Sequence, residues 1–458
     1  MNANHQPFFA DLVWHDGNWA KDVLLHTDAN GRWAKIEANV AAAARAGAIT
    51  VPGALLPGVV NTHSHAFQRA IAGLTEQRTA VHAADDFWSW RDRMYAAANH
   101  ITPEQLEAIA RQLYRELLTG GYTHVCEFQY LHHDIDGKAY VDPAEMSMAL
   151  VRAAQHTGIG LTLLPTLYMR SGFVEAGLRH DQRRFASTPA DIVAIIESIE
   201  RQTAGMLNIN LGVALHSLRA VTEAALNELA TYAAARNLPV HIHIAEQTLE
   251  VDECVAHTGQ RPLEWLLDRA PVDARWNLVH ATHASNTELR SIADCGASIV
   301  LCPTTEANLG DGVFPFPAYA AMQGQWSVGS DSHISRAWPE ELRMLEYSQR
   351  LMLRQRNVAA QSLAQSSSGA GMLHALVGGS AAAAGVVVGR IAVGQRADFV
   401  TLDLSAPALL GIPTDNLLDA LVFSSPMTDF HSAHVGGRIA NTTPDQGFAD
   451  AMKKLWQH

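Results

Sequence analysis

Two short runs each carry a pair of histidines two residues apart: "NTHSHAF" with His63 and His65, and "HIHIAEQ" with His241 and His243. Side chains two apart on a strand share a face, so each pair can turn two imidazoles toward one point. That is what two ligands of a single ion require, and neutral imidazole is the commonest metal ligand. Taken alone, such a pair reads more readily as solvated or hydrogen-bonded core histidine. Placement changes the reading. His63, His65, His243, Glu246, His280 and Asp331 all fall at the C-terminal ends of β-rich apolar runs, where a parallel α/β barrel gathers its active-site groups.

Three imidazoles and a carboxylate, from His63, His65, His243 and Asp331, can hold one divalent ion and leave a place for water. Zinc is the default for so nitrogen-rich a set, and iron(II) is the alternative. Glu246 follows His243 by three residues and can carry protons, while His280 in "NLVHATH" can polarise the attacked group or orient the attacking oxygen beside Asp331. The chemistry that fits is metal-assisted hydrolysis, with Glu246, His280 and Asp331 as the catalytic groups. Other histidines read differently: His132 and His133 belong on a polar loop, His283 in a structural or supporting role, and His241 packed and hydrogen-bonded deeper in the barrel.

The elements that must position these groups are legible as alternating runs. Eight candidate strands are "GVVNTHSH" ending at His65, "YTHVCEF" at Phe128, "GLTLLPTLY" at Tyr168, "INLGVALHS" at Ser217, "PVHIHIAE" at Glu246, "WNLVHATH" at His283, "SIVLCPTT" at Thr305 and "WSVGSDSH" at His333. Helical patterns separate them. Thr102, Pro103 and Gln105 open one helix as cap, first residue and capping-box partner, with Gly120 as its stop; "TPADIVAIIESIERQ" opens alike, and another helix follows Trp338. The expected fold class is α/β, a (β/α)8 TIM-type barrel over residues 57–385. Residues 1–56 and 386–447 hold short extended runs and turns and are expected to form one small β-sandwich-like domain from both chain ends, with 448–458 as a helical tail. Between Tyr168 and Thr188 lies a stretch without clear periodicity, read either as a lid with Arg179, Arg183 and Arg184 as rim cations or as an ordered surface loop.

Composition bounds the function. Of 458 residues, 48% are hydrophobic and 17% charged, enough to fill a large core, and the net charge of -13 disfavours nucleic acid or an anionic membrane as partner. An anionic substrate would need local arginines. Arg219 directly follows the fourth strand and can face the barrel mouth with a planar fork matched to carboxylate; a solvated surface charge is the equal alternative there and the favoured one for Arg91. Cys126, Cys254, Cys295 and Cys302 show no paired short spacing, so a reducing compartment is the simpler reading. No basic-then-apolar start and no run of some 18 apolar residues is visible. The expectation is a soluble, cytoplasmic protein and, by base rate, a homodimer.

The pattern resembles the amidohydrolase superfamily over nearly the whole chain. "PGVVNTHSH" is similar to its first barrel strand and "GQRADFVTLDL" to the segment that returns to its small β domain. The ligand set, with a glutamate three after the third histidine, resembles the mononuclear deaminase branch; no lysine stands near the end of "LGVALHSLR", so the resemblance implies one metal rather than a carbamylated bridge. Within that branch the chain is most similar to the N-formimino-L-glutamate deiminase family, on "THSHAFQRAIAGL", "DFWSWRDRMY", "EFQYLHH", "LHSLRAV", "HIHIAEQ", "LVHATH" and "GSDSHIS". The resemblance implies a small dicarboxylate substrate whose formimino C=N is hydrolysed, with Arg91 and Arg219 at the carboxylates and Gln68, Tyr130 and His216 lining the pocket. The motifs around Arg91 and Tyr130 are expected on loops. Two rivals stand beside it. An aminohydrolase of a purine, pterin or other ring would stack its substrate on Phe87, Trp88 or Trp90; a non-catalytic scaffold would be expected to lack ligands.

Overall fold

The helix signals are met in detail. Thr102 Oγ1 accepts Gln105 N–H at 3.3 Å and Gln105 Oε1 accepts Thr102 N–H at 2.9 Å, opening Pro103–Thr119, and Gly120 closes it. Thr188 and Asp191 exchange the same pair of bonds at the head of Pro189–Gln202. The third expected helix runs Trp338–Leu353. In this computed structural model residues 6–77, 86–426, 429–444 and 446–457 are described. Residues 1–5, 427, 428 and 445 of the expected terminal domain, and the last residue of the tail, lie outside them.

Eight parallel strands pair in chain order: Val59–Ser64, Tyr122–Gln129, Gly160–Leu167, Val213–Ser217, Val240–Ile244, Trp276–His280, Ser298–Leu301 and Gln325–Val328. The first and eighth meet through a single parallel bridge, Ser64 to Asp331, and side chains complete the seam. Thr62 Oγ1 donates to Val328 O at 2.9 Å, Asn61 Nδ2 to Ser330 Oγ at 2.7 Å, and Ser330 N–H to Asn61 Oδ1 at 2.9 Å. At the opposite mouth the Gly- and Ala-rich run forms the helix Ser368–Ala384, whose last carbonyls stopper the barrel. Ala383 O accepts His241 Nε2–H at 2.9 Å and Ala384 O accepts Thr162 Oγ1–H at 2.7 Å, so His241 is the packed, hydrogen-bonded histidine its depth implied.

Both chain ends build a second sheet. Its order is Arg438–Ile439, Phe430–Val435, Phe399–Leu402, Ala54–Pro57, Phe8–His15, Asn18–Thr27 and Trp33–Glu37, with Ile49–Thr50 beside Phe8–His15. Phe399–Leu402 from the C-terminal part lies antiparallel on Ala54–Pro57 from the N-terminal part. Phe8, Val13, Leu25, Trp33, Leu55 and Phe399 form its core. The helix Gly447–Trp456 follows.

Three sequence expectations need correction. Several barrel strands stop short of the apolar runs: Thr305 lies in the helix Pro303–Leu309, and the fifth, sixth and eighth strands end at Ile244, His280 and Val328. At the fifth and sixth strands left-handed backbone at non-glycine residues, with φ of 52° at Ala245, 70° at His280 and 50° at Ala281, turns the chain out of the sheet, while Pro303 opens the helix that ends the seventh. His132 does lie on the loop after Gln129, but it is buried there, donating Nε2–H to Thr166 O at 2.8 Å, rather than solvated. The arginines of 169–187 are not free rim cations. Arg184 is fully buried on the carbonyls of His133 and Ala98, Arg183 donates to Ile135 O at 2.6 Å, and Arg179 pairs with Asp181 and with Asp92 at 3.1 Å.

Candidate active site

Four of the singled-out residues converge where the barrel seam closes. Asp331 N–H donates to His63 O at 3.0 Å and His65 N–H to Asp331 O at 3.3 Å, so the backbone that closes the barrel also fixes these three side chains. His63 Nε2 lies 3.0 Å from His243 Nε2, and Asp331 Oδ1 is 3.4 Å from both His63 Nε2 and His65 Nε2. His65 donates Nδ1–H to Phe128 O at 3.0 Å and His243 donates Nδ1–H to His216 O at 2.9 Å, which leaves each Nε2 as a bare acceptor. Burial holds these imidazoles neutral, His63 and His243 well below the usual imidazole range. His63 Nδ1 has no hydrogen-bond partner among the described residues, and one ligand atom from each of His63, His65, His243 and Asp331 lies within 4.8 Å of the others. A cation between them would satisfy the bare nitrogens of His65 and His243 and the Asp331 carboxylate, and three nitrogens with one carboxylate oxygen are donors suited to zinc or iron(II). Phe128, its ring 4.4 Å from that of His243, walls the cluster from below.

Titratable groups stand beside this cluster. His280 Nε2 is 3.6 Å from Glu246 Oε1 and 3.8 Å from Asp331 Oδ2, and its ring stacks on His243 at 5.6 Å and 13°. Burial pushes Glu246 up to about 7, against the pull of His280. Burial works against charge on His280, but Glu246, Glu306 and Asp331 outweigh it and raise the imidazole to about 10. Glu250 holds the turn that delivers Glu246: it accepts the N–H groups of Ala245 and Glu246 at 3.1 Å each.

Next to these groups opens a pocket. All five residues implied as substrate contacts line it: Gln68, Arg91, Tyr130, His216 and Arg219. Arg91 lies on the helix Phe87–Ala98 rather than on a loop, because Asp86 and Ser89 form a capping box at its start. Both guanidiniums lie over one indole, with Arg91 Cζ 4.5 Å and Arg219 Cζ 5.4 Å from the ring of Trp88. Arg219 is 7% exposed and forms no salt bridge among the described residues, while Arg91 also lies 5.5 Å over the ring of Tyr95. Behind them Gln182 donates Nε2–H to the hydroxyls of Tyr168 at 2.9 Å and Tyr95 at 3.3 Å. The segment read as a lid or an ordered loop thus supplies part of the pocket's support.

Sequence reading passed over Tyr95, Glu250, Glu306 and His333. His333 donates Nε2–H to His65 O at 3.0 Å and receives Ser330 Oγ–H at 3.0 Å, tying the seam to the histidine cluster. The available signal was an acid within six residues of a strand end, Glu250 after Ile244 and Glu306 after Leu301.

A model of the amidohydrolase family matches residues 54–440. The chain is 46% identical to a formimidoylglutamate deiminase of Pseudomonas aeruginosa, over 94% of this chain and 93% of the relative. It is 24% identical to a 5-methylthioadenosine/S-adenosylhomocysteine deaminase of Natronomonas pharaonis, over 84% and 80% of the two chains. The crystal structure of an amidohydrolase from Brucella melitensis superposes with a TM-score of 0.90 at 40% identity, over 98% of this chain and 100% of that one. An adenosine deaminase from Xanthomonas campestris, with bound zinc, shares the fold at a TM-score of 0.79 and 20% identity, over 99% and 98%.

Proposed function

The chain belongs to the amidohydrolase family, and from that premise we propose that it hydrolyses N-formimino-L-glutamate to N-formyl-L-glutamate and ammonia, a step of histidine degradation. The observation that carries the reading is the pairing of Arg91 and Arg219 on one indole at the pocket that also reaches Glu246, His280 and Asp331. An acyclic dicarboxylate needs two such forks. A ring substrate would instead stack on an aromatic face; of the three candidates Phe87 and Trp90 line the pocket, whereas guanidiniums already lie over Trp88.

His63, His65, His243 and Asp331 would hold one divalent ion, zinc by donor preference and iron(II) as the alternative. Such an ion supplies acidified water, its pKa lowered from about 15.7 to roughly 7. Arg91 and Arg219 bind the two carboxylates, with Gln68, Tyr130 and His216 shaping the wall between them and the reacting carbon. Glu246 takes a proton from the attacking water and delivers it to the imino nitrogen. His280 stabilises the oxygen as the carbon becomes tetrahedral. Asp331 helps move the second proton, the C–N bond to the former imino nitrogen breaks, ammonia leaves, and the water oxygen remains as the formyl oxygen.

Ammonia release should be measured from formimino-L-glutamate, formimino-L-aspartate, guanine and adenosine, alongside the metal content of the purified protein. We expect turnover of formimino-L-glutamate far above the others and one divalent ion per chain. Activity confined to a ring would overturn the substrate, and a stable, metal-free chain would favour a scaffold without chemistry. No helix among the described residues is long and apolar enough to cross a membrane. A cytoplasmic homodimer remains the proposed state, with light scattering as the test of the dimer.

A further inference from the structure

Glu306 stands at the start of the short helix after the seventh strand, 5% exposed. Its Oε1 accepts the N–H of Cys302 at 2.8 Å and lies 3.3 Å from His280 Nδ1. His280 itself ends the sixth strand at a φ of 70°, a conformation that a residue with a Cβ keeps only when its surroundings enforce it. With Nδ1 engaged by a carboxylate from the seventh strand's side, the imidazole can turn only Nε2 toward Glu246 and Asp331, at 3.6 and 3.8 Å.

We propose that Glu306 is the positioning residue of His280: its carboxylate takes the Nδ1–H and so fixes which nitrogen faces the reacting oxygen and how the ring stands. An acid that orients an imidazole through one nitrogen while the other does chemistry is a recurrent arrangement in hydrolases. Here it joins two strand ends with no sequence motif in common. Glu306 is not among the residues that line the pocket and is not one of the four clustered donors; it acts through His280. The alternative is that Glu306 only caps its own helix by accepting the Cys302 N–H.

A double-mutant cycle separates the two, and it rests on the deiminase reading above. Glu306→Ala, Glu306→Gln, His280→Asn and the doubles are assayed for kcat and KM on formimino-L-glutamate, with metal content measured on each. We expect Glu306→Ala to lower kcat about ten- to a hundred-fold, with KM within about threefold and metal content unchanged, and to lower it no further in the His280→Asn background. A kcat within twofold of wild type, or losses that multiply in the double variant, would overturn the proposal. Glu306→Gln carries the same cycle if the alanine variant does not fold. Proton NMR of 15N-histidine-labelled protein gives a readout without substrate. The His280 Nδ1–H, identified by its loss in His280→Asn, should lie downfield in wild type and move or vanish in Glu306→Gln; an unmoved signal overturns the proposal. A wild-type enzyme inert toward formimino-L-glutamate sinks the deiminase reading instead and leaves the NMR result to decide on Glu306.

Discussion

Glu246 is the one acid in the pocket wall that burial lifts to about 7 while it keeps within 3.6 Å of His280 Nε2, so it is placed to take and return a proton near neutrality. Glu246→Gln removes that capacity without touching a proposed ligand. We expect unchanged metal content and a kcat lower by about 10² to 10⁴, read from ammonia release; near-normal turnover would take Glu246 out of the chemistry. Arg219→Lys tests the other end of the pocket. Lysine keeps the charge but loses the planar fork and the stacking on Trp88, so KM for formimino-L-glutamate should rise about 10- to 100-fold, the range of a lost charge-assisted hydrogen bond, with kcat changed less. An unchanged KM would move the carboxylate elsewhere. The residues proposed for these roles were legible because histidine, aspartate and glutamate at strand ends are few and chemically conspicuous. Glu250, Glu306 and His333 were not, since each acts on a partner's backbone or ring, and neither the partner nor the direction of the contact is written in local sequence.

Strand order and helix caps were legible because they are local: alternation, β-branched runs, and Thr-Pro-x-x starts fix them. The ends of the fifth and sixth strands were not, because there the turn out of the sheet is made by alanine and histidine with positive φ, residues that do not announce it as glycine would. The eighth strand's exit does show one readable glycine. A Cβ on Gly329 would stand 2.6 Å from His63 Cβ and 2.8 Å from His63 N and O, so the seam can close only if that position is bare. Gly329→Ala should therefore push the eighth strand from the first and move Asp331 away from His63 and His65. We expect a folded protein by circular dichroism that retains little metal after dialysis and has lost most of its activity. Wild-type metal content in that variant would show that the seam tolerates the methyl group, and would separate barrel closure from the geometry of the four donors.

On the scale of the whole molecule, the two sheets are joined at the barrel end away from the pocket. Arg396, in the segment returning to the terminal sheet, donates to Asp398 at 2.8 and 2.6 Å and to Nδ1 of His124 on the second barrel strand at 3.0 Å; His124 Nε2 in turn meets Thr162 Oγ1 at 2.8 Å on the third. Asp398 is 1% exposed and also accepts Gly436 N–H at 3.0 Å. Sequence reading reached the idea of one domain built from both chain ends but not this joint, because "RAD" reads as an ordinary surface charge pair until His124 is found beneath it. Arg396→Ala would leave the Asp398 carboxylate buried without its cation, a defect worth about 3–5 kcal/mol. We expect a fall in Tm of several degrees or more, with kcat and KM per folded molecule near wild type, since Arg396 lies among none of the residues that line the pocket. If instead activity fell at unchanged Tm, the terminal sheet would be setting the geometry of the catalytic mouth through the barrel wall, and the division into a structural end and a chemical end would have to be abandoned.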